Sequence, residues 1–272
     1  MVQFINASTK AKNTKGINQF TNITYPETEI CDYYNTFKSL KETANYFKLD
    51  SRTVKNILLK HNIEIVGRGY ASNPFTINPF IDKSLEDKSY WFGYIAGDGS
   101  ISSDNRNNVD IITTDLDIVE QYKSFIGDTL TIYLAKRPTK DCYTLRVCNK
   151  DFKEYLIKRG ITPKKSLTLD LKVKCNWDIV RGLFDSDGNV SKNWFKITSA
   201  SIKLISYLEN FFNTEGFKTS IIKKGNAMDI YIRSNQKPLK ETFKSLRSKL
   251  YNNSKYYLKR KKDQLDALCS DT

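Results

Sequence analysis

A nine-residue pattern that occurs twice constrains this chain more than any other feature. The first copy is WFGYIAGDG, at 91–99, and the second is VRGLFDSDG, at 180–188. Both follow an apolar run typical of a buried helix, and in both the final glycine is a common helix end. Residues four apart share one helix face, and small residues there let two helix backbones approach closely. The small residues at this spacing are Gly93 with Gly97, and Gly182 with Ser186.

The chemical consequence of the repeated pattern lies in its two aspartates. If the two helices pack on their small faces, Asp98 and Asp187 come to lie side by side at the helix ends. Each helix C-terminus already carries about half a negative charge, so the carboxylates must bind cations or share a proton. Oxygen ligands of this kind favour Mg²⁺, with Mn²⁺ or Ca²⁺ as substitutes. Carboxylates that gather divalent ions are used to hydrolyse phosphodiesters.

The charge balance indicates the partner. Among 272 residues there are 44 Lys and Arg against 30 Asp and Glu, a formal net charge of +14, which predicts a polyanionic partner. Neither a membrane-length apolar run nor a secretory signal is present, so we expect no membrane partner. The five cysteines form no CxxC pair and are expected to be reduced thiols, which predicts a cytoplasmic location in a bacterium or a phage-infected cell, or alternatively an organelle matrix. The single histidine, His61, lies far from both motifs and argues against histidine-based catalysis.

Composition and periodicity divide the chain into six segments. We predict a basic flexible arm at 1–25, a helical domain at 26–66, a linker at 67–84, a first repeat at 85–170, a second repeat at 171–262 and a tail at 263–272. The arm is expected either to touch phosphates or to be a terminus without a role.

The segment at 26–66 is expected to form three short helices. Ser39 and Glu42 form a capping box for the second helix, and Ser51 is expected to cap the third. This spacing resembles the helix-turn-helix family, whose second helix of the pair reads the major groove. The alternative is a three-helix adaptor whose charges are only solvated. The third helix offers four polar residues for DNA contacts: Arg52, Thr53, Lys55 and Asn56.

The order of predicted elements after the first motif returns after the second. After the first we predict a strand at 108–114, a helix at 115–126, strands at 129–136 and 142–148 and a helix at 150–159; after the second, a strand at 194–199, a helix at 200–213, strands at 217–224 and 227–233 and a helix at 237–250. Alternating strands place one face on helices and leave the other open. The open faces would form a basic saddle, the alternative being ordinary surface charge. On them we place Lys136, Arg137, Thr144, Arg146, Trp194, Lys196, Lys223, Lys224, Tyr231 and Arg233.

The two motifs, their spacing and the repeated element order resemble the LAGLIDADG family of homing endonucleases, in its single-chain form with two motif copies. The resemblance covers about 85–262 and implies an α+β fold: a pseudo-symmetric, duplicated α-β-β-α-β-β-α core whose two antiparallel sheets form a DNA-binding saddle. It also implies divalent metal ions bound by Asp98 and Asp187, with the carbonyls of Gly97 and Ser186 as accessory ligands. The expected activity is cleavage of double-stranded DNA at a long asymmetric site by a monomer that uses no small-molecule substrate.

The same resemblance implies further site residues. Lys165 and Lys255 hold matching places after the two repeats and are expected to stabilise developing charge, and Thr114 and Ser199 to position water. The sixth motif position is Ala96 in one copy and Asp185 in the other, which predicts unequal halves. The alternative function is a non-cleaving nucleic-acid binder on this scaffold, either a transcriptional regulator or an intron maturase. Retention of both aspartates favours the nuclease.

Overall fold

The computed structural model describes residues 25–37, 39–63, 65, 78–104, 106–127, 130–136, 140–233 and 239–270. The chain forms two compact units, Met1–Val66 and Gly67–Thr272. The predicted basic arm except Tyr25, the DNA-contact residue Arg137 and most of the predicted linker lie outside the described residues.

The first unit contains three short helices. They are α1 (Glu27–Phe37), α2 (Leu40–Phe47) and α3 (Ser51–Lys60). The Ser39 hydroxyl accepts a hydrogen bond from the backbone N–H of Glu42, as the capping box predicts. The predicted cap of α3 is wrong by one residue, because Asp50 lies at that position and its carboxylate accepts from the N–H of Arg52 at 2.6 Å. The buried core of this unit comprises Ile30, Cys31, Tyr34, Ala44, Val54, Ile57 and Leu58.

The second unit repeats one series of elements. The first copy consists of α4 (Leu85–Asp98), β1 (Gly99–Ile101), β2 (Asn108–Thr113), α5 (Leu116–Ile126), β3 (Ile132–Ala135), β4 (Cys142–Cys148) and α6 (Lys150–Lys158). The second consists of α7 (Trp177–Asp187), β5 (Gly188–Ser191), β6 (Trp194–Ser199), α8 (Ile202–Thr214), β7 (Thr219–Lys224), β8 (Ala227–Ile232) and α9 (Leu239–Tyr251). The predicted duplicated α-β-β-α-β-β-α order is therefore confirmed.

Each copy builds one antiparallel four-stranded sheet. The strand orders are β1-β2-β4-β3 and β5-β6-β8-β7, and the registers correspond, with Gly99 opposite Ile111 and Gly188 opposite Ile197. Alternate residues such as Ile111 and Ile197 are fully buried against the helices, because successive side chains in a strand point to opposite faces. The other face of each sheet is open and carries the polar residues of the strands.

Helices α4 and α7 pack backbone against backbone at the centre of this unit. A Cβ atom built on Gly93 would lie 2.2 Å from the carbonyl oxygen of Ile179, and one on Gly182 would lie 2.2 Å from that of Tyr90. Any larger side chain at either position would separate the helices. The predicted packing on small faces is confirmed, and it brings the two C-termini together.

The segment expected to be a tail belongs largely to a further helix, α10 (Lys259–Cys269). Its sequence, KRKKDQLDALC, is strongly charged, and only Lys261 and Leu265 are buried. One buried residue per turn, of which one is a lysine, gives no clear apolar periodicity, which explains why the sequence did not reveal this helix. None of the helices in the described part of the chain is long and apolar enough to cross a membrane.

Replacing Gly93 by Ala tests the helix contact. We expect G93A to lower the free energy of unfolding by about 1–3 kcal/mol or more, because the new methyl group overlaps the backbone of α7. Urea denaturation measures the change. The matched control, E86A at an exposed position of the same helix, should stay within about 0.5 kcal/mol of the parent. Equal stability of G93A and E86A would contradict the close contact.

Candidate active site

Asp98 and Asp187 stand at the adjoining C-terminal ends of α4 and α7. The closeness of the two ends is shown at Gly97, where a Cβ atom would lie 1.9 Å from the hydroxyl oxygen of Ser186 and 2.8 Å from a carboxylate oxygen of Asp187. The small residues of the two motifs predicted that the aspartates would lie side by side, and the structure brings them together.

The protonation of both aspartates is perturbed. Burial raises the pKa of Asp98, against the opposing influence of the Tyr94 hydroxyl and of the ammonium groups of Lys261 and Lys165. Asp187 as a whole is exposed to solvent, but protein atoms at the adjoining helix ends surround much of its carboxylate. This loss of hydration, together with the charge of Asp98, raises the pKa of Asp187 to about 6. Two carboxylates that repel each other favour a bound cation between them.

Each motif helix ends on a lysine ammonium group. Lys165, in a short 3₁₀ turn after the first repeat, donates from Nζ to the carbonyl oxygen of Gly97 at 2.7 Å. Lys261, in the first turn of α10, donates to three carbonyl oxygens at the end of α7: those of Phe184 at 2.7 Å, Ser186 at 3.2 Å and Gly188 at 2.6 Å. Cations placed there offset the negative end of each helix dipole.

The prediction for Lys255 is not supported by the structure. Its ammonium lies 3.7 Å from the Asp87 carboxylate and its side chain is 66% exposed. Asp87 belongs to the first turn of α4, about 16 Å along the helix from Asp98. The counterpart of Lys165 in the second half is Lys261, which lies in a run of four consecutive Lys or Arg residues at 259–262. Its neighbours in the run also lie in α10, and only the buried position of Lys261 in that helix distinguishes it from them.

The two lysines differ in their surroundings. Lys261 is 3% exposed, and burial lowers its pKa to about 8, opposed by the charge of Asp185. Burial also lowers the pKa of Lys165, opposed by Asp187 and Asp98. Lys165 is only partly buried and binds one carbonyl, whereas Lys261 binds three. The two halves of the site are therefore chemically unequal.

The acidic residue at the sixth position of the second motif serves a structural contact. Asp185 is 1% exposed, and its carboxylate accepts from the hydroxyl groups of Tyr251 at 2.7 Å and Tyr90 at 2.9 Å and from the N–H of Leu258 at 2.7 Å. It thereby ties α4, α7 and α9 to the residue that caps α10. Its counterpart Ala96 is also buried but has no side chain that can make such bonds.

A cavity of about 220 Å³ opens beside Asp187. Lys165 and Ser199 line it together with Gly97, so Ser199 stands where a positioned water would be useful. Thr114, its expected counterpart, is exposed at the end of β2 and does not line this cavity.

The donor set fits a hard divalent cation. Two carboxylates and the carbonyls of Gly97 and Ser186 offer only oxygen ligands, and Mg²⁺ commonly uses one or two protein carboxylates and keeps several waters. Among the described residues there is no cluster of three or more His, Cys, Asp or Glu that could hold a metal, so a dedicated all-protein cage is not formed. Both carbonyls accept from a lysine, but each retains a second lone pair.

The open face of the first sheet carries two of the expected DNA-contact residues. Arg146 pairs with Asp110 through two hydrogen bonds of 2.8 and 2.7 Å, and Thr144 lies on the same face because it is two residues away. Lys136 is exposed immediately after β3.

The open face of the second sheet carries Lys196, Tyr231 and Lys224 around one carboxylate, that of Asp229. The placement of Lys223 on this open face is wrong. Neighbouring strand residues point to opposite faces, and Lys223 lies opposite Met228 on the helix side of the sheet. Tyr231 is only 7% exposed. Trp194 is partly buried and Arg233 is exposed. Sequence reasoning named the cations of this face but missed Asp229.

In the first unit, the polar residues expected to contact DNA lie on α3. Arg52, Lys55 and Asn56 are exposed, and Thr53 is partly buried. Lys60, near the end of the same helix, forms an ion pair with Glu27 at 2.8 Å.

Residues 86–159 match the family model of the LAGLIDADG-like domain. An uncharacterized protein of Methanocaldococcus jannaschii is 23% identical over 237 residues, which cover 83% of this chain and 81% of that protein. Among solved structures, the homing endonuclease I-WcaI bound to its DNA recognition sequence has a TM-score of 0.48 and 17% identity, over 72% of this chain and 90% of that one. The crystal structure of I-DmoI in complex with DNA and Mn has a TM-score of 0.45 and 18% identity, over 62% and 98%.

Replacing Lys261 by Met tests the cap on α7. We expect K261M to lower the free energy of unfolding by about 1–3 kcal/mol, because buried carbonyl groups lose their donor. The exposed K255M is the matched control and should change it by less than about 0.5 kcal/mol. Thermal and urea unfolding measure both variants. Equal effects of the two substitutions would show that Lys261 does not close the helix end.

The raised pKa of Asp187, caused first by burial and then by the charge of Asp98, predicts a pH dependence of stability without metal. A carboxyl whose pKa is raised from 3.8 to about 6 on folding binds more protons in the native state, so it lowers stability as the pH rises through this range. We therefore expect D187N to be more stable than the parent at pH 7.5 in EDTA, and the difference to vanish near pH 4. Urea midpoints at both pH values measure this. The exposed control D82N should match the parent at pH 7.5. A D187N variant less stable than the parent at pH 7.5 would refute the raised pKa of Asp187.

Proposed function

We propose that this protein is a divalent-metal-dependent endonuclease that cuts double-stranded DNA at a long asymmetric site. The observation that carries the proposal is the pairing of Asp98 and Asp187 at adjoining helix ends, each with a lysine ammonium on the neighbouring carbonyl. The match of residues 86–159 to the LAGLIDADG-like domain supports the same assignment.

The chain's own groups have distinct roles in this proposal. Asp98, Asp187 and the carbonyls of Gly97 and Ser186 would hold Mg²⁺, with Mn²⁺ or Ca²⁺ as substitutes for binding. When bound, such ions polarise a phosphoryl oxygen and make water a stronger nucleophile. Asp98 and Asp187 would hold such ions next to the reacting phosphate.

Lys165 and Lys261 supply fixed positive charge beside the reacting phosphate. Their ammonium groups are held by backbone carbonyls before substrate arrives, so little reorganisation is needed when negative charge develops on the phosphate. Lys261 takes the role that the sequence assigned to Lys255.

DNA binding in this proposal uses both sheets and the first unit. The net charge of +14 provides a large electrostatic attraction to phosphates. The open faces of the two sheets present Arg146 and Lys196 beside polar and aromatic neighbours, which suits reading of base edges in the major groove. Helix α3 adds contacts outside the cleavage site through Arg52, Thr53, Lys55 and Asn56, in the manner of a recognition helix.

A second candidate function is a nucleic-acid binder that does not cut. The observation favouring it is that lysines already occupy the carbonyls of both Gly97 and Ser186. Ammonium groups at these positions offset the negative charge of the helix ends without any metal ion. In this candidate function the protein binds nucleic acid without needing a metal at the aspartate pair.

Cleavage assays on selected DNA decide between the two candidates. Wild-type protein first enriches its target from a random duplex library in Ca²⁺, and the enriched DNA is then incubated with Mg²⁺. We expect cleavage by the wild type, and a loss of roughly a hundredfold or more for D98N and D187N, because several kcal/mol of charge stabilisation depend on the metal. Binding in Ca²⁺ should persist.

The exposed variant D82N is the matched control and should cut like the wild type. Cleavage that survives in the D98N/D187N double variant would overturn the proposed mechanism. Tight, selective binding without cleavage by the wild type would establish the second candidate instead.

A further inference from the structure

One buried carboxylate organises the open face of the second sheet. Asp229, on β8, has only 3% of its side chain exposed although it lies on the face that is directed away from the helices. Its register partner on β6 is Thr198, and its partner on β7 is Ile222. A buried acid on a face otherwise rich in cations is not explained by the core, since the helices pack on the opposite side of the sheet.

Both carboxylate oxygens of Asp229 accept hydrogen bonds from protein donors. Oδ1 accepts from the Thr198 hydroxyl at 2.6 Å. Oδ2 accepts from Lys196 at 2.9 Å and from the Tyr231 hydroxyl at 2.9 Å, and the Lys224 ammonium lies 3.2 Å away. Burial alone would raise the pKa of Asp229, but the hydrogen bonds from these donors lower it overall, so the group stays ionised. Because only 3% of its side chain is exposed beneath these donors, Asp229 does not itself accept from a DNA base.

Aromatic rings complete the same cluster. The rings of Trp194 and Tyr231 meet edge to face with centroids 6.1 Å apart. The Lys196 ammonium lies 5.3 Å from the Trp194 centroid and 5.8 Å from that of Tyr231, and the Arg233 guanidinium lies 5.5 Å from the latter. The lysine is therefore fixed both by charge and by two ring faces.

The first sheet has a simpler arrangement at the corresponding positions. There Asp110 on β2 lies opposite Arg146 on β4, and the two form one bidentate ion pair. In the second sheet the corresponding register pair is Lys196 and Tyr231. The acidic residue of that sheet, Asp229, belongs to the next pair on the same face, where it lies opposite Thr198. Each open face thus holds one acid that binds the cation expected to meet DNA.

We propose that Asp229 is a specificity-determining positioning residue of the second sheet. It holds Lys196 and Tyr231 in place for the recognition of bases. Its negative charge also keeps the neighbouring ammonium groups from binding DNA phosphates regardless of sequence. This inference rests on the proposed DNA binding but not on cleavage. A lysine free to move reaches any nearby phosphate, which adds affinity without sequence information. A lysine held in place meets an acceptor only at one position in the groove, which adds discrimination.

The test uses the full chain in Ca²⁺, with a random-sequence duplex DNA library as the probe. Wild type, D229N and D110N are each put through selection, and the dependence of binding on salt is then measured on the wild-type site and on random DNA. For D229N we expect discrimination over adjacent base pairs in one half of the site to fall by at least about fivefold. Binding of random DNA should strengthen, with a salt slope steeper by about 0.9 for each ammonium that reaches a phosphate.

The matched control D110N should loosen discrimination only in the other half of the site, because it frees Arg146 on the first sheet. A second variant, T198V, removes one hydrogen bond from Asp229 without changing charge. It should weaken discrimination in the same half as D229N while leaving the salt slope unchanged. Thermal unfolding identifies any variant that has lost its fold, and T198V then carries the test if D229N is unstable.

The possible results separate the inference from the function on which it rests. An unchanged base profile and salt slope in folded D229N, or the same uniform weakening in D229N and D110N, would overturn the role of Asp229 while leaving DNA binding intact. If the wild type enriches no sequence, the proposed function fails and this inference fails with it. Loss of discrimination confined to one half in D229N supports it.

Discussion

The contact between the backbones of α4 and α7 is the constraint on which the rest of this structure depends. Gly93 and Gly182 remove the side chains that would hold the helices apart, and the two C-termini consequently meet. Bringing them together costs electrostatic energy, because two helix dipoles and two carboxylates share one place. Lys165 and Lys261 offset part of this cost from outside the helices. The site is therefore a balance of charge imposed by packing.

The sequence predicted those features that depend on local pattern. The small residues four apart predicted the helix contact, and the returning order of apolar and polar residues predicted two similar sheets. It did not predict α10, because a helix with one buried residue per turn leaves little periodicity. The error at Lys255 follows directly: without α10, no signal in the basic run shows that Lys261 turns inward. The misplacement of Lys223 has a different cause, since two consecutive strand residues cannot share a face.

Acidic residues on the open faces were the least predictable part of the candidate DNA-binding surface. Asp110 and Asp229 contribute negative charge where composition suggests only positive charge. Their roles emerge from register, because Asp110 lies opposite Arg146 while Thr198 lies opposite Asp229. Pairing across strands depends on turns and bulges that one sequence does not define closely. A count of cations therefore overstates how much charge is free to meet phosphates.

The bond between Asp185 and the N–H of Leu258 has a consequence for the order in which the protein matures. Leu258 caps α10, and α10 delivers Lys261 to the end of α7. Since synthesis proceeds from the N-terminus, the ribosome completes both aspartates well before it releases this lysine. A nascent chain would hold both aspartates without the positive charge of Lys261. The second half of the candidate site therefore stays incomplete until α10 docks. A cut between α9 and α10 would therefore separate Lys261 from the end of α7, whereas the contact of Lys165 with Gly97 would not be touched.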